Sequence, residues 1–157
     1  MIETYFGAER SGGLLFVIAG TLAIGSSIWG WQHGPFWRGA AWPLAAVALI
    51  QIGVGITYLL RSPADLQRVQ HIVTREQARI AGEEVPRMQA VLKSYATSLR
   101  IEVAILAVGL ALLMLATRGG SWQGTGFGLA VQAGLVLLLD GLAERRAQTY
   151  LEWLRAL

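Results

Sequence analysis

Four stretches of the chain carry no Asp, Glu, Lys or Arg: residues 11–37, 39–60, 103–117 and 119–139. Each is rich in Leu, Ala, Ile, Val and Gly, and none shows the apolar/polar alternation of a barrel strand. In hydrocarbon every backbone amide needs an internal partner, so such runs are predicted to be membrane-crossing helices, at about 12–32, 39–61, 99–117 and 120–141. The third is the short one: fifteen residues separate Glu102 from Arg118, about 22 Å of helix at 1.5 Å per residue. Leu99, Ile101 and the snorkelling stems of Arg100 and Arg118 extend it.

The charged residues between these runs set a direction. Assigning the two termini and the 62–100 insert, with Arg61 at its edge, to one side places eleven Lys and Arg residues there, against only Arg38 and Arg118 on the other. Positive charge is retained on the cytoplasmic side, so both termini are expected in the cytoplasm, as in a multi-pass protein of a bacterial-type inner membrane. Trp29, Trp31, Trp37, Trp42 and Trp122 all fall near the opposite surface, as an interfacial belt. The first apolar run follows an acidic start and lacks a small-residue cleavage site, so it reads as a retained span.

Between spans two and three, residues 62–98 carry signals of a cytoplasmic helical hairpin. Ser62, Pro63 and Asp65 predict a helix start, Leu66, Val69, Val73 and Ile80 a stripe, and Gly82 a stop. A second arm begins near residues 83–86, shows Met88, Leu92, Tyr95 and Leu99 on one face, and runs into span three as one helix of about 33 residues. The tail, residues 142–157, places Ala143, Ala147, Tyr150, Leu151, Leu154 and Leu157 on one stripe. That stripe either packs on the hairpin or lies on the lipid surface with Trp153 as anchor. The fold class expected is an all-α integral membrane protein, one four-span domain with a cytoplasmic helical hairpin.

Composition agrees: of 157 residues 54% are hydrophobic, and mean hydropathy is +0.49. A pI of about 9.8 reflects positive-inside charge rather than a nucleic-acid partner. Cysteine is absent, which excludes disulfides, thiolate catalysis and Cys-based metal sites. His33 and His71 fall on opposite sides of the membrane and cannot share a metal. No Ser/His/Asp arrangement, phosphate-cradling loop or zinc spacing is present, so neither an enzyme nor a cofactor is expected.

Polar residues inside spans are the default functional candidates. Gln51 and Gln132 sit near the middle of spans two and four, where each needs a partner. Glu102 and Asp140 lie at similar depth near the cytoplasmic ends of spans three and four. An ion pair of Glu102 with Arg61 is the expected arrangement, with proton coupling as the alternative. Gly120, Gly124 and Gly128 in span four, and Ala19 and Ala23 in span one, repeat at four-residue spacing and predict close helix packing. Glu84, Arg87, Met88 and Tyr95 are candidates for a cytoplasmic contact.

The function expected is therefore interaction: a scaffold, an accessory subunit, or a protein that neutralises a membrane-directed toxin. Its partners would be the lipid bilayer, further copies of the chain, and a membrane or cytoplasmic protein. The alternative is a small oligomeric transporter or channel using Gln51, Gln132, Glu102 and Asp140, and its distinguishing feature is convergence of those four residues on a cavity.

Overall fold

The computed structural model of the chain describes residues 1–75 and 79–157. Four long helices make up nearly all of it: α1 (Ile2–Trp31), α2 (Gly34–Arg75), α3 (Val85–Leu115) and α4 (Ser121–Arg155), with a π-helical turn at Ile80–Glu84 leading into α3. All four are long and apolar enough to cross a membrane. At 1.5 Å per residue the 42 residues of α2 extend about 63 Å, roughly twice a hydrocarbon core of about 30 Å. The bundle therefore has an apolar shaft and, beyond it, a pole where the chain termini, the end of α2 and the start of α3 gather.

The connections at the other end are tight. Gln32 and His33 join α1 to α2, and Gly34 takes a left-handed φ of 78° that a Cβ would disfavour. Residues 116–120 join α3 to α4, where Gly119 N–H donates to Gln123 Oε1 (2.8 Å) and Gln123 Nε2 to the Leu113 carbonyl (3.2 Å). The side chain of Gln123 thus satisfies backbone groups at both helix ends. The tryptophans at 29, 31, 37, 42 and 122 are exposed around these connections.

α1 packs along α2 and α3 along α4, while α2 and α4 join the two pairs. Among the described residues no Cα of α2 comes within 8 Å of one in α3. The shaft is held by small residues, as expected where lipid removes the hydrophobic drive between helices. A Cβ at Gly13 would lie 2.9 Å from the Gly55 carbonyl oxygen, and one at Gly124 would overlap the Phe36 carbonyl. Ser27 Oγ donates to the Ala41 carbonyl (2.8 Å) and Thr125 Oγ1 to that of Gly39 (3.1 Å).

At the pole the packing is of a water-soluble kind. Phe6, Val69, Ile72, Ile80, Met88, Ala147, Tyr150, Leu151 and Leu154 form one buried cluster. Tyr5 stacks on Tyr150 with centroids 4.3 Å apart.

Two expectations change here. No helix starts at Ser62, because α2 runs unbroken through Pro63 to Arg75. An internal proline costs about 3 kcal/mol, which the burial of Val69 and Ile72 on the continued helix, at roughly 1.5–3 kcal/mol each, offsets. The Ser62 hydroxyl donates to Glu9 Oε2 of α1 (2.7 Å) instead of capping. Secondly, the stripes of residues 66–80 and 88–99 do not lie directly on one another, since Tyr150, Leu151 and Leu154 of α4 join the cluster between them. The tail is accordingly the unbroken end of α4, with Ala147, Tyr150, Leu151 and Leu154 buried, and it does not lie apart on a surface.

Candidate functional site

Because the backbones of α2 and α3 stay apart, a cleft of about 400 Å³ opens between them, with Phe16 of α1 and Val136 of α4 also on its wall. Helical spacing decides what faces it. Gln51 and Tyr58 are two turns apart on α2, Ser94, Ser98 and Glu102 recur every four residues on α3, and Val136 and Asp140 do the same on α4. All seven line the cleft, with Glu9 and Arg61 also on its wall.

Its polar groups are poorly satisfied by the protein. Gln51 is 2% exposed, and neither atom of its amide has a hydrogen-bond partner among the described residues. Glu102 is 8% exposed and its Oε2 is likewise unpartnered. The carboxyls of Glu102 and Asp140 lie within hydrogen-bonding reach of each other, a contact that becomes a hydrogen bond when one of them holds a proton. Toward the pole, the Tyr58 and Tyr95 hydroxyls meet at 3.2 Å, the one side-chain bridge across the cleft among the described residues.

The expected Glu102–Arg61 ion pair is not formed. Arg61 Nε instead reaches Asp65 Oδ2 one turn along α2, at 3.0 Å. The divergence of α2 from α3 puts the near carboxylate within easier reach. Among the described residues neither Glu102 nor Asp140 has a basic partner.

Gln132 lies elsewhere. Its Nε2 donates to the Leu44 carbonyl (3.1 Å), fastening α4 to α2, and its side chain borders a separate furrow between α1 and α4. Gly124 and Gly128 meet the Phe36 and Ala40 carbonyls of α2, while Gly120 precedes α4 as its N-cap. Ala19 and Ala23, both half-buried, border the same furrow as Gln132. The close approaches of α1 use Gly13 and Gly20, one register away.

Of the residues nominated for a cytoplasmic contact, Glu84 and Met88 are internal to the pole, while Arg87 is partly exposed. Glu84 is fully buried and accepts from Arg87 Nε (2.9 Å) and Arg68 Nη2 (3.2 Å). Met88 is fully buried, with the Tyr5 hydroxyl 4.0 Å from its sulfur. Tyr95 is half-buried on the cleft. The π-helical turn sets Glu84 inward, where the α2 and α3 guanidiniums converge. Burial works against the charge of Arg87, but the hydrogen bonds and charge of Glu84 outweigh it and raise its pKa. Burial also pushes the Tyr5 and Tyr150 hydroxyls above the usual phenol range.

No protein-family model, curated protein or solved structure matches this chain. Its function is read from the cleft itself. Among the described residues no group of three or more His, Cys, Asp or Glu could hold a metal ion. The cleft offers two adjoining carboxyls, a free amide and two linked phenols, a set suited to a cation or hydrogen-bond donor small enough for about 400 Å³.

Sequence reasoning passed over Tyr58, Ser94 and Ser98. The four-residue repeat Ser94–Ser98–Glu102 was the available signal, obscured by lying across the boundary drawn between hairpin and span.

Proposed function

We propose that this chain is a small membrane transport protein that takes a cationic or hydrogen-bond-donating solute into the α2–α3 cleft and exchanges it against protons held on the Glu102–Asp140 pair. The observation that carries this reading is the convergence of Gln51, Glu102 and Asp140, without ion-pair partners among the described residues, on one cavity between apolar helices. Buried polar groups left unsatisfied are costly in a membrane and are retained where they bind something. The interaction reading has less support, because Glu84 and Met88, on which it leaned, are consumed inside the pole.

In this proposal the termini and the pole, with the ends of α2 and α3 as a helical projection, face the cytoplasm of a bacterial-type cell, in keeping with the eleven-to-two division of basic residues. The cleft is open on one side, and polar walls facing hydrocarbon are unfavourable. A second copy is proposed to close it, making the transporter a homodimer or larger ring.

The test is reconstitution into liposomes with a trapped pH dye and a valinomycin-clamped potential, using guanidinium and tetramethylammonium as external probes. Entry of cation against proton should alkalinise the lumen, and Glu102→Gln or Asp140→Asn should abolish the signal while Arg61→Gln retains it. An unchanged response in both carboxyl variants, or no response to either probe in the unaltered protein, would remove the cleft as a transport path.

A further inference from the structure

The second furrow of the molecule runs along the seam between α1 and α4, on the side of the bundle away from α3. α1 and α4 meet at the pole, through Tyr5, Phe6 and Tyr150. Farther along the shaft they part, leaving about 380 Å³ walled by Leu15, Ile18, Leu22, Leu135 and Leu139. Leu15 and Leu139 continue into a narrow neck of about 40 Å³ that has Arg146 on its wall and Tyr58 and Tyr95 on the side facing the α2–α3 cleft. Beyond the neck a further 250 Å³ opens between Thr4, Ala8, Arg145, Arg146 and Thr149. The seam is thus apolar within the shaft and basic where the shaft ends.

Three features identify its occupant. The apolar part extends from Leu15 to Ser26, about 17 Å along α1 at 1.5 Å per residue, close to one leaflet of a hydrocarbon core of about 30 Å. Among the described residues Arg145 and Arg146 make no ion pair. Glu144 is bonded to Gln148, and Glu9 at the neck accepts the Ser62 hydroxyl. Finally, a Cβ at Gly12 would lie 3.3 Å from Arg146 Nη2, so the bare backbone there leaves room for the guanidinium across the head of the furrow.

We infer that the α1–α4 seam is a seat for one anionic phospholipid, its acyl chains in the Leu15–Leu139 furrow and its phosphate on Arg145 and Arg146. Two unpaired guanidiniums favour a headgroup of net negative charge over a zwitterionic one, whose own cation they would repel. The inference needs only that these helices cross a membrane: the neck borders the α2–α3 cleft through Glu9, Phe16, Tyr58 and Tyr95, but neither the furrow nor the basic opening shares a residue with that cleft.

Native mass spectrometry of the full chain, delipidated in mild detergent and titrated with phosphatidylglycerol or phosphatidylcholine, tests it. One phosphatidylglycerol per chain should be retained in preference to phosphatidylcholine. Arg145→Gln with Arg146→Gln should weaken retention roughly 30-fold, since each basic residue near a lipid surface contributes about a factor of five to six. Arg145→Lys with Arg146→Lys should keep most of it. Ala19→Trp, which fills the furrow without touching either charge, should also exclude the lipid, and its thermal midpoint shows whether the fold has survived. Equal retention of the two lipids, or full retention by the double Gln variant, would overturn the proposal. So would displacement by millimolar glycerol phosphate, which would mark a phosphate site. A cross-link between cysteines at Ala19 of one copy and Leu135 of another would do so as well, marking a dimer contact.

Discussion

The ion triad at the pole makes an ordered prediction. Glu84 is the sealed member, with 1% of its side chain exposed, while Arg87 and Arg68 are 25% and 39% exposed. Arg87→Gln should be the most damaging change. It leaves a carboxylate shut away from water with a single contact, Arg68 at 3.2 Å, for which about 3 kcal/mol is the appropriate scale. Glu84→Gln removes the buried charge and leaves two guanidiniums that can both turn toward water, so about half that loss is expected, roughly 1.5 kcal/mol. Arg68→Gln keeps the two-pronged Arg87–Glu84 pair and gives up a longer, exposed contact, at under about 1 kcal/mol. For a chain of this size each kcal/mol moves a melting midpoint by about 2–4 °C. Thermal unfolding in dodecyl maltoside at pH 7.5, followed by circular dichroism at one scan rate, should thus show a fall of about 6–12 °C for Arg87→Gln and under about 4 °C for Arg68→Gln. The decisive sample is the Arg87→Gln/Glu84→Gln double variant, which should be more stable than Arg87→Gln alone because no buried charge is left unpaired. A double variant worse than the single one, or equal losses for Arg68→Gln and Arg87→Gln, would refute the assignment of Glu84 as a buried anion held by both arginines.

Other outcomes follow from the packing and the proposed threading. Gly124→Ala should cost more than 3 kcal/mol or block assembly, because its Cβ would overlap the Phe36 carbonyl, whereas Gly53→Ala meets nothing within 4 Å and should stabilise α2 by up to about 1 kcal/mol; comparison of the two melting midpoints checks both. Among the described residues the buried Tyr150 hydroxyl has no partner, so Tyr150→Phe should be neutral or stabilising by about 1 kcal/mol at pH 7. Burial raises the folded-state pKa of Tyr5 and Tyr150 above the unfolded phenol value of about 10; the stability this carries is complete below that pH and is lost as pH rises beyond it. Melting midpoints measured from pH 8 to 11.5 should decline above about pH 10, less steeply in the Tyr5→Phe/Tyr150→Phe double variant. Cysteines introduced at Ser121 and Ser94, in a chain with none of its own, should label from opposite sides of the membrane; labelling of both from the periplasmic side would refute the threading.

What could be read from the sequence was whatever hydropathy and charge encode directly. The four long apolar helices, the short connections at one end and the fusion of residues 85–98 with the third apolar run all emerged from composition along the chain. What could not be read was which face of each helix meets a neighbour. In an all-apolar helix the lipid side and the packed side are chemically alike, so Ala19 and Ala23 looked as suitable as Gly13 and Gly20, and only the coordinates separate them. Pro63 misled for a related reason: a helix that starts at Ser62 and one that continues through it carry the same stripe, and the contact of Ser62 with Glu9 that accompanies continuation lies beyond the reach of a local signal. Glu102 and Arg61 were paired on depth alone, which carries no information about the lateral gap between α2 and α3. The polar candidates themselves were legible, and three of them, Gln51, Glu102 and Asp140, share the cleft.

The arrangement of helices has a consequence for how the protein is made. α1 and α2 lie against each other along their length, so the first half of the chain can pair as soon as both have left the ribosome. α3 packs its backbone along α4 and, among the described residues, meets α1 and α2 only through side chains at or toward the pole, as Met88 meets Tyr5 and Tyr95 meets Tyr58. It also has the highest hydropathy of the four and the smallest buried share. During synthesis α3 must therefore wait alone in lipid until the last helix arrives, and its greater hydropathy suits it to that interval. A nascent chain stopped before residue 121 would hold a paired α1–α2 unit and a solitary α3 free to diffuse beside it. The final helix to emerge is the one that turns two separate pieces into a single protein.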